Sequence, residues 1–282
     1  MSGSFSDSFF PSPTTPDEII NIVSSLKSSN SEGEDGINVN VIKASIDLLA
    51  SHLSQMCNIS FSTGIVPDKL KISKVLPIFK SEDSTNFTNY RLTSMLPCFF
   101  KILESAMHRR LMDYLTKYSI LNNHQYGFRK KHSNFMEILE LTNKIFDSFE
   151  KKKFTIGIFI DLKKAFDIVN HSILLDKLNF YGIRGTPFNW THSCLLSGSQ
   201  YVQIHSWKSP LLPLKCGVPQ GSVLGLLLFL IYINEIFCSN YLSFILFVDD
   251  TNIFFQHKNI SELTKIVNHE LSFGLPGSKL TS

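Results

Sequence analysis

The sequence has few cysteines and no hydrophobic run long enough to cross a membrane. Its five cysteines lack the paired spacing of a zinc site or a disulfide framework, which favours a reducing, intracellular environment. The longest apolar stretch, Val223 to Ile233, has 11 residues, whereas a membrane-spanning helix needs about 20. The first residues also lack the basic start and apolar core of a secretory signal. We therefore expect an intracellular protein without a membrane partner, and leave open whether it is nuclear or cytoplasmic.

Basic residues are concentrated in the middle of the chain. Lys and Arg number 2 against 8 Asp and Glu in residues 1–68, 12 against 4 in residues 69–131, and 13 against 12 in residues 132–282. A basic segment suits a polyanionic partner, because phosphate contacts dominate nucleic-acid affinity. A solvated surface is the alternative that charge alone leaves open.

Two adjacent carboxylates, Asp249 and Asp250, separate two apolar runs and predict the turn of a β-hairpin. Burying neighbouring ionised Asp side chains without a counter-charge is costly, because each loses its hydration. No Lys or Arg lies between residues 240 and 256, so a divalent metal is the better candidate for that counter-charge. An ordinary exposed turn is the alternative interpretation.

A third carboxylate, Asp161, follows the β-rich run from Phe154 to Ile160. If this strand neighbours the hairpin strands in one antiparallel sheet, three carboxylates converge at one edge. Such an oxygen-rich set suits Mg²⁺, and two ions about 3.5–4 Å apart can hold the attacking and leaving oxygens of a phosphoryl transfer. Because Asp161 precedes a predicted helix, a helix N-cap is the alternative role for it.

An aromatic residue and a glycine-rich turn accompany these acids. Phe166 stands at the predicted start of a helix that runs to about Phe180, where it could cover a nucleotide sugar and exclude a 2′-hydroxyl. Core packing is the alternative for this ring. The turn Pro219-Gln220-Gly221 leads into an apolar helix over 223–237, and offers small residues for close backbone approach and an amide that can bond a sugar or base.

The rest of the pattern predicts a mixed α/β chain. Apolar periodicity, with a capping box at Thr15 and Glu18, predicts helices over 16–27, 39–60, 99–115, 134–150 and 260–271. Extended segments at 71–80 and 90–96 predict a hairpin with Lys80 and Arg91 near its end, and Tyr201 to His205 predicts a further strand. Residues 1–14 have no periodicity and are expected to form a loose tail.

Three segments resemble the palm motifs of reverse transcriptases, most closely those of LINE-like retrotransposons, which lack long terminal repeats. They are FIDLKKAFD at 159–167, GVPQGSVLG at 217–225 and FVDDT at 247–251. Segments that resemble the family's fingers precede them at 75–80, 89–91, 96–104 and 125–130. The order and joint presence of these motifs are specific, and the resemblance covers residues 16–272.

The resemblance implies a right-hand polymerase fold of mixed α/β class. Residues 15–153 would form mainly helical fingers with one hairpin and an N-terminal helical extension. Residues 154–272 would form a palm, an antiparallel sheet backed by helices. Residues 1–14 and 273–282 would be tails, and we expect neither a thumb nor the family's upstream endonuclease.

The implied activity is that of an RNA-directed DNA polymerase with an RNA template, a DNA primer and deoxynucleoside triphosphates. Asp161 and Asp249 would bind both of two Mg²⁺ ions, for which Mn²⁺ can substitute, and Asp250 would support them. Phe166 would be the sugar gate, and Asp167 would bond at the helix start. The remaining implied contacts are Gln220 and Gly221 with nucleotide and template, Lys80 and Arg91 with the triphosphate, and Arg129, Lys130 and Lys131 with nucleic acid.

Several positions depart from the family pattern. Leu92 and Leu226 stand where proline is usual, Asn134 follows Ser133 where threonine is usual, and 32 residues follow Asp250. A decayed, catalytically inactive retroelement product that only binds nucleic acid is therefore an alternative. A structural α/β protein with a coincidental Asp-Asp turn is a third hypothesis.

Overall fold

The structure, a computed structural model, describes residues 5–81, 83–122, 124–125, 127, 134–161, 165–196, 198–235, 243–247 and 250–272. The helices are α1 (Pro16–Ser25), α2 (Val39–Ala44), α3 (Ile46–Thr63), α4 (Cys98–Lys117), α5 (Asn134–Glu150), α6 (His171–Phe180), α7 (Thr186–Leu196), α8 (Val223–Ile233) and α9 (Ile260–Ser272). The strands are β1 (Ile72–Phe79), β2 (Tyr90–Met95), β3 (Phe154–Asp161), β4 (Ser199–Ile204), β5 (Trp207–Lys208), β6 (Leu212–Pro213), β7 (Ser243–Phe247) and β8 (Asp250–His257). The predicted mixed α/β class is confirmed. Among the described residues, no helix has the length and apolarity to cross a bilayer.

The chain forms two compact units. The first comprises Met1–Ile120 and Phe166–Ile231, and the second comprises Leu121–Ala165 and Tyr232–Ser282. These limits differ from the expected division between residues 153 and 154, and the assignment of fingers and palm stays a prediction.

In the first unit, a mixed sheet has the strand order β2-β1-β4-β5, with β6 also paired to β4. The predicted hairpin is present, because β1 and β2 pair antiparallel from Lys74 opposite Met95 to Phe79 opposite Tyr90. β1 also pairs in parallel with β4, so the hairpin is part of a larger sheet. The single helix predicted over 39–60 is divided at Ser45 into α2 and α3, and α3 ends at Gly64 in the left-handed region, at φ 70°.

Residues 5–14 are ordered by packing, so the predicted loose tail is wrong for them. Phe9 is only 3% exposed, and its N–H donates to the carbonyl of Gly182 at 2.8 Å. The hydroxyl of Thr14 donates to the carbonyl of Ser54 on α3 at 3.1 Å. Because long-range partners fix this segment, its sequence shows no period of its own.

In the second unit, an antiparallel sheet has the strand order β3-β8-β7. Helices α5 and α9 pack on these strands. The buried side chains that fill this layer include Ile245, Ile253 and Phe255 from the sheet and Leu263 and Val267 from α9. The predicted arrangement of an antiparallel sheet with helices against it is therefore present here.

Candidate functional site

Two of the three predicted metal-binding acids occupy opposite positions on neighbouring strands. Asp161 on β3 pairs with Asp250 on β8, and the Cα atoms of such antiparallel partners lie about 4.5–5.5 Å apart. Phe247, the last residue of β7, pairs with Asp250 from the other side. The strand adjacency that a three-carboxylate site requires is therefore present. Asp249, and the side chains of Asp161 and Asp250, lie outside the described residues.

Asp161 ends a strand, and the described helix that follows it has another residue as its N-cap. It is the last residue of β3, and the helix predicted to follow it directly begins only at His171. Asn170 is the N-cap of α6, where its side-chain oxygen accepts from the N–H groups of Ser172 at 2.9 Å and Ile173 at 3.2 Å. Asn is among the most favourable N-cap residues, whereas the preceding apolar residue has no side-chain acceptor for these N–H groups.

Phe166 lies in a turn rather than at the start of a helix. Its ring packs against Phe229 on α8, with centroids 4.7 Å apart and an interplanar angle of 45°. Its carbonyl accepts from the N–H of Val218 at 2.8 Å, which joins this turn to the glycine-rich segment. The residue as a whole is half-buried.

Asp167 binds the glutamine of the glycine-rich turn. Its Oδ1 accepts from Nε2 of Gln220 at 3.0 Å. The prediction that Asp167 bonds at a helix start is therefore wrong, because Asn170 fills that role and the turn directs Asp167 towards Gln220. The structure thus brings together Phe166, Asp167 and Gln220 from two motifs that are about 50 residues apart in the sequence.

Two glycines allow the turn to approach its neighbours closely. Gly217 has a φ of +84°, and a Cβ there would lie 2.9 Å from the carbonyl oxygens of Phe166 and Asp167. Gly221 has a φ of +117°, and its Cβ would lie 2.9 Å from the carbonyl oxygen of Ser94 on β2. The N–H of Ser94 in turn donates to the carbonyl of Gln220 at 2.9 Å. The small residues at this turn are therefore required by the protein's own backbone.

A buried acid that was not predicted as a site residue lies behind this turn. Glu104 on α4 is fully buried; it accepts from the hydroxyl of Ser222 at 3.1 Å and from the N–H of Val223, the first residue of α8. Burial raises the pKa of Glu104 to about 7. The available signal was its spacing, since a glutamate four residues after Phe100 and three before Met107 falls on the apolar face of the helix.

The two predicted triphosphate cations lie at the end of the β1–β2 hairpin, as expected. Lys80 directly follows β1, and its N–H donates to the carbonyl of Asn89 at 2.9 Å. Arg91 pairs with Ile78 in the register, and both cationic side chains are exposed. Arg129, Lys130 and Lys131 lie outside the described residues. Within the part of the chain that the structure describes, no group of three or more His, Cys, Asp or Glu side chains could hold a metal ion.

Comparison with known proteins gives one matching family and several relatives with similar names. The family described as reverse transcriptase (RNA-dependent DNA polymerase) matches residues 79–274. The probable RNA-directed DNA polymerase from transposon BS of Drosophila melanogaster is 30% identical over 230 residues, 81% of this chain and 25% of that protein. The RNA-directed DNA polymerases from mobile element jockey are 29% identical in Drosophila melanogaster, over 79% of this chain and 24% of that protein, and 28% identical in Drosophila funebris, over 78% and 24%.

The chain spans about a quarter of the length of these relatives. The family match covers all three motifs that carry the resemblance, from FIDLKKAFD to FVDDT, and extends back to the end of β1. The predicted likeness to LINE-like reverse transcriptases is thereby confirmed. This chain belongs to the reverse transcriptase (RNA-dependent DNA polymerase) family.

Proposed function

We propose that this chain is the catalytic part of an RNA-directed DNA polymerase, which adds deoxynucleotides to the 3′-hydroxyl of a DNA primer on an RNA template. The observation that carries the proposal is the register of β3 and β8, in which Asp161 lies opposite Asp250. Asp249 is the neighbour of Asp250 in the sequence. Membership of the reverse transcriptase family supports the same reaction.

The donor set fits a hard divalent cation. Carboxylate oxygens are the protein ligands that Mg²⁺ prefers, together with water and substrate phosphates. Asp161 and Asp249 would hold two Mg²⁺ ions, or Mn²⁺ in their place, and Asp250 would support them. Bound there, the ions supply charge stabilisation for the attacking and leaving oxygens of the phosphoryl transfer.

The nucleotide contacts are assigned to the turns of the first unit and to its hairpin. The half-buried Phe166 would lie with its ring against the sugar and exclude a 2′-hydroxyl. Gln220, whose amide is oriented by Asp167, and Gly221 would contact the incoming nucleotide and the template. Lys80 and Arg91 would bind the triphosphate, the first as a point charge and the second through its planar fork of N–H groups.

The strands are assigned to the palm and the fingers of a right-hand polymerase. The antiparallel sheet of β3, β8 and β7 would be the palm, and the hairpin of β1 and β2 would belong to the fingers. Arg129, Lys130 and Lys131 belong to the basic segment 69–131, and would contact the phosphates of the template and primer. We expect this binding to weaken steeply with salt, because each phosphate contact releases counterions.

A primer-extension assay tests the proposal. The full chain, with Mg²⁺, an RNA template and a DNA primer, should extend the primer, and Asp249→Ala should reduce extension by a factor of roughly 10³ or more. Asp176→Ala, which removes an exposed carboxylate on α6, is the matched control and should extend like the unaltered chain. Full extension by Asp249→Ala would mean that other groups do the chemistry. Salt-sensitive binding without extension in any metal would favour the inactive, nucleic-acid-binding alternative.

A further inference from the structure

Glu104 is a buried acid for which the proposed reaction has no direct use. It lies within α4 with no exposed surface, and burying a carboxylate is costly unless polar groups replace its lost water. Those groups all come from one place, the start of α8. The hydroxyl of Ser222 and the N–H groups of Val223 and Leu224 donate to its two oxygens. An acid on one helix therefore caps another.

This cap satisfies donors that the helix cannot satisfy itself. The first N–H groups of an α-helix have no intrahelical acceptor, and a negative charge at this end is also favoured by the helix dipole. Ser222 completes the arrangement, since its Oγ accepts from the N–H of Gly225 at 2.8 Å while it donates to Glu104. Glu104 thus supplies acceptors for the first N–H groups of α8.

The beginning of α8 is also the end of the Pro219-Gln220-Gly221 turn. That turn is held on its other sides by the N–H of Ser94, which donates to the carbonyl of Gln220 at 2.9 Å, and by Asp167, which accepts from the Gln220 side chain at 3.0 Å. Glu104 holds the turn from a third side, through the first residues of α8. Among the described contacts on that side, it is the only charged group.

We propose that Glu104 is a positioning residue, whose carboxylate fixes the start of α8 and thereby holds Gln220 and Gly221 in the geometry that receives a nucleotide. The inference rests on the proposed function for the nucleotide, but its structural part concerns the turn alone. The residue does not touch the reacting atoms and acts through the turn.

The arrangement makes this positioning depend on pH. Desolvation raises the pKa of Glu104 from 4.5 to about 7, although the bonds from Val223, Ser222 and Leu224 and the charge of Lys101 oppose that shift. Two further titratable groups, Lys71 and Cys194, line the same small cavity as Glu104, and burial raises the pKa of the Cys194 thiol. The charged form accepts stronger hydrogen bonds than the neutral form. The turn should therefore be held more firmly above pH 7 than below it.

The sign for global stability is the opposite. Because the folded pKa lies above the ordinary value of 4.5, the contribution of this group to stability is complete below about pH 4.5 and is lost as the pH rises through 7. As the pH rises through 7, local order at the turn should therefore increase while the free energy of unfolding decreases. A purely structural role of Glu104 would change both in the same direction.

Hydrogen exchange of the full chain, measured by mass spectrometry, tests the positioning without requiring catalysis. In Glu104→Ala, the peptide that covers residues 217–226 should exchange roughly tenfold faster than in the unaltered chain, because an acceptor for buried N–H groups is lost. Glu104→Gln keeps one acceptor oxygen and should exchange only about threefold faster. Asp113→Asn, an exposed acid-to-amide change on the same helix, should have no effect.

The pH dependence and the kinetics supply two further readouts. After correction for intrinsic exchange rates, protection of residues 217–226 should rise between pH 6 and pH 8 in the unaltered chain and stay constant in Glu104→Gln. In primer extension, Glu104→Ala should raise KM for the nucleotide roughly tenfold and change kcat less, with partial recovery in Glu104→Gln. Should Glu104→Ala not fold, Ser222→Ala removes one contact and keeps the carboxylate, and should show a smaller rise in exchange at the same peptide.

Unchanged exchange of residues 217–226 in Glu104→Ala and Ser222→Ala would overturn the proposal. So would an increase spread evenly over the first unit in both Glu104 variants, since that is loss of stability rather than of positioning. A chain with the expected exchange response but no primer extension would retain the role of Glu104 at the turn and remove the polymerase proposal, so the two failures are distinguishable.

Discussion

Asp161 lies opposite Asp250 at the end of the paired region of β3 and β8. Like charges directly opposite each other on neighbouring strands destabilise a sheet. No other pair of this register joins two charged residues of the same sign, and its centre is apolar, with Ile158 opposite Ile253 and Ile156 opposite Phe255. A bound divalent cation would relieve the repulsion of such an acidic pair. The proposed polymerase activity depends on that pair.

Shortening the side chain of Phe166 should weaken discrimination between sugars. The ring is supported by Phe229 at 4.7 Å, so Phe166→Val leaves a space where a 2′-hydroxyl can be accommodated. We expect incorporation of ribonucleotides relative to deoxynucleotides to rise roughly 10- to 100-fold, measured by competing primer extension. Phe188→Val, which shortens another half-buried ring of the first unit, should leave the ratio unchanged; an equal rise in both variants would contradict the gate.

Asp167 and Gln220 should act as one unit. Because Oδ1 of Asp167 accepts from the Gln220 amide at 3.0 Å, Asp167→Ala frees that amide and should raise KM for the nucleotide about three- to tenfold. In a background of Gln220→Ala, the same substitution should add little, since the amide is already gone. Steady-state kinetics of the two single variants and the double variant give this cycle. Strictly additive effects would show that the hydrogen bond does not matter for nucleotide binding.

The order of residues 5–9 should depend on the absence of a side chain at Gly182. A Cβ there would overlap the carbonyl oxygen of Asp7 and the hydroxyl of Tyr114, whereas Gly185, also at positive φ, has nothing within 4 Å. Gly185→Ala should therefore cost only the conformational penalty of about 1–2 kcal/mol, while Gly182→Ala should cost more and accelerate hydrogen exchange in residues 5–9. Denaturant unfolding and exchange provide the comparison, and equal effects of the two substitutions would refute the close packing of this segment.

The ion pair between Glu18 and Arg110 should stabilise the fold in a pH-dependent way. Both guanidinium nitrogens lie 2.8 Å from the carboxylate oxygens, and the hydrogen bond from Arg110 is the main cause that lowers the pKa of Glu18 below 4.5. Its contribution is therefore present above pH 4.5 and is lost as the pH falls through the lowered pKa of the folded state.

Glu18→Gln should consequently reduce the free energy of unfolding at pH 7 by about 1–2 kcal/mol, and the difference from the unaltered chain should shrink as the pH falls below 4.5. Glu262→Gln disrupts an exposed pair with Lys265 and should change little at either pH. A difference for Glu18→Gln that is the same at pH 7 and pH 3 would contradict this interpretation.

The sequence was sufficient for features that local chemistry decides. The cap of α1 at Thr15 and the hairpin of β1 and β2 follow from residue types and periodicity over short windows. The sequence analysis stated the adjacency of the Asp161 strand and the hairpin strands only as a condition, and the pairing of β3 with β8 meets that condition. Helix α5 has the predicted limits.

Features that depend on residues distant in the sequence could not be predicted from local sequence patterns. Residues 165–170 are not helical, and they bond to the backbone of residues 217–218, which lie 48 and 52 positions from their partners Val169 and Phe166. Asp167 binds Gln220 for the same reason. Glu104 has the helical spacing of a core residue, yet nothing local indicates that its partner is the start of α8. Likewise, residues 5–14 are ordered by groups that are distant in the sequence, such as the carbonyls of Gly182 and Ser54.

Manganese binding would show whether Asp161 and its opposite acid belong to a metal site. The full chain, with template, primer and a non-reactive nucleotide, would be titrated with Mn²⁺ and followed by electron paramagnetic resonance. We expect two bound ions per chain, at least one of which is lost or bound more than about tenfold more weakly in Asp161→Asn, while Asp176→Asn binds like the unaltered chain. Equal number and affinity of bound ions in Asp161→Asn would contradict a metal site built on the pairing of Asp161 with Asp250.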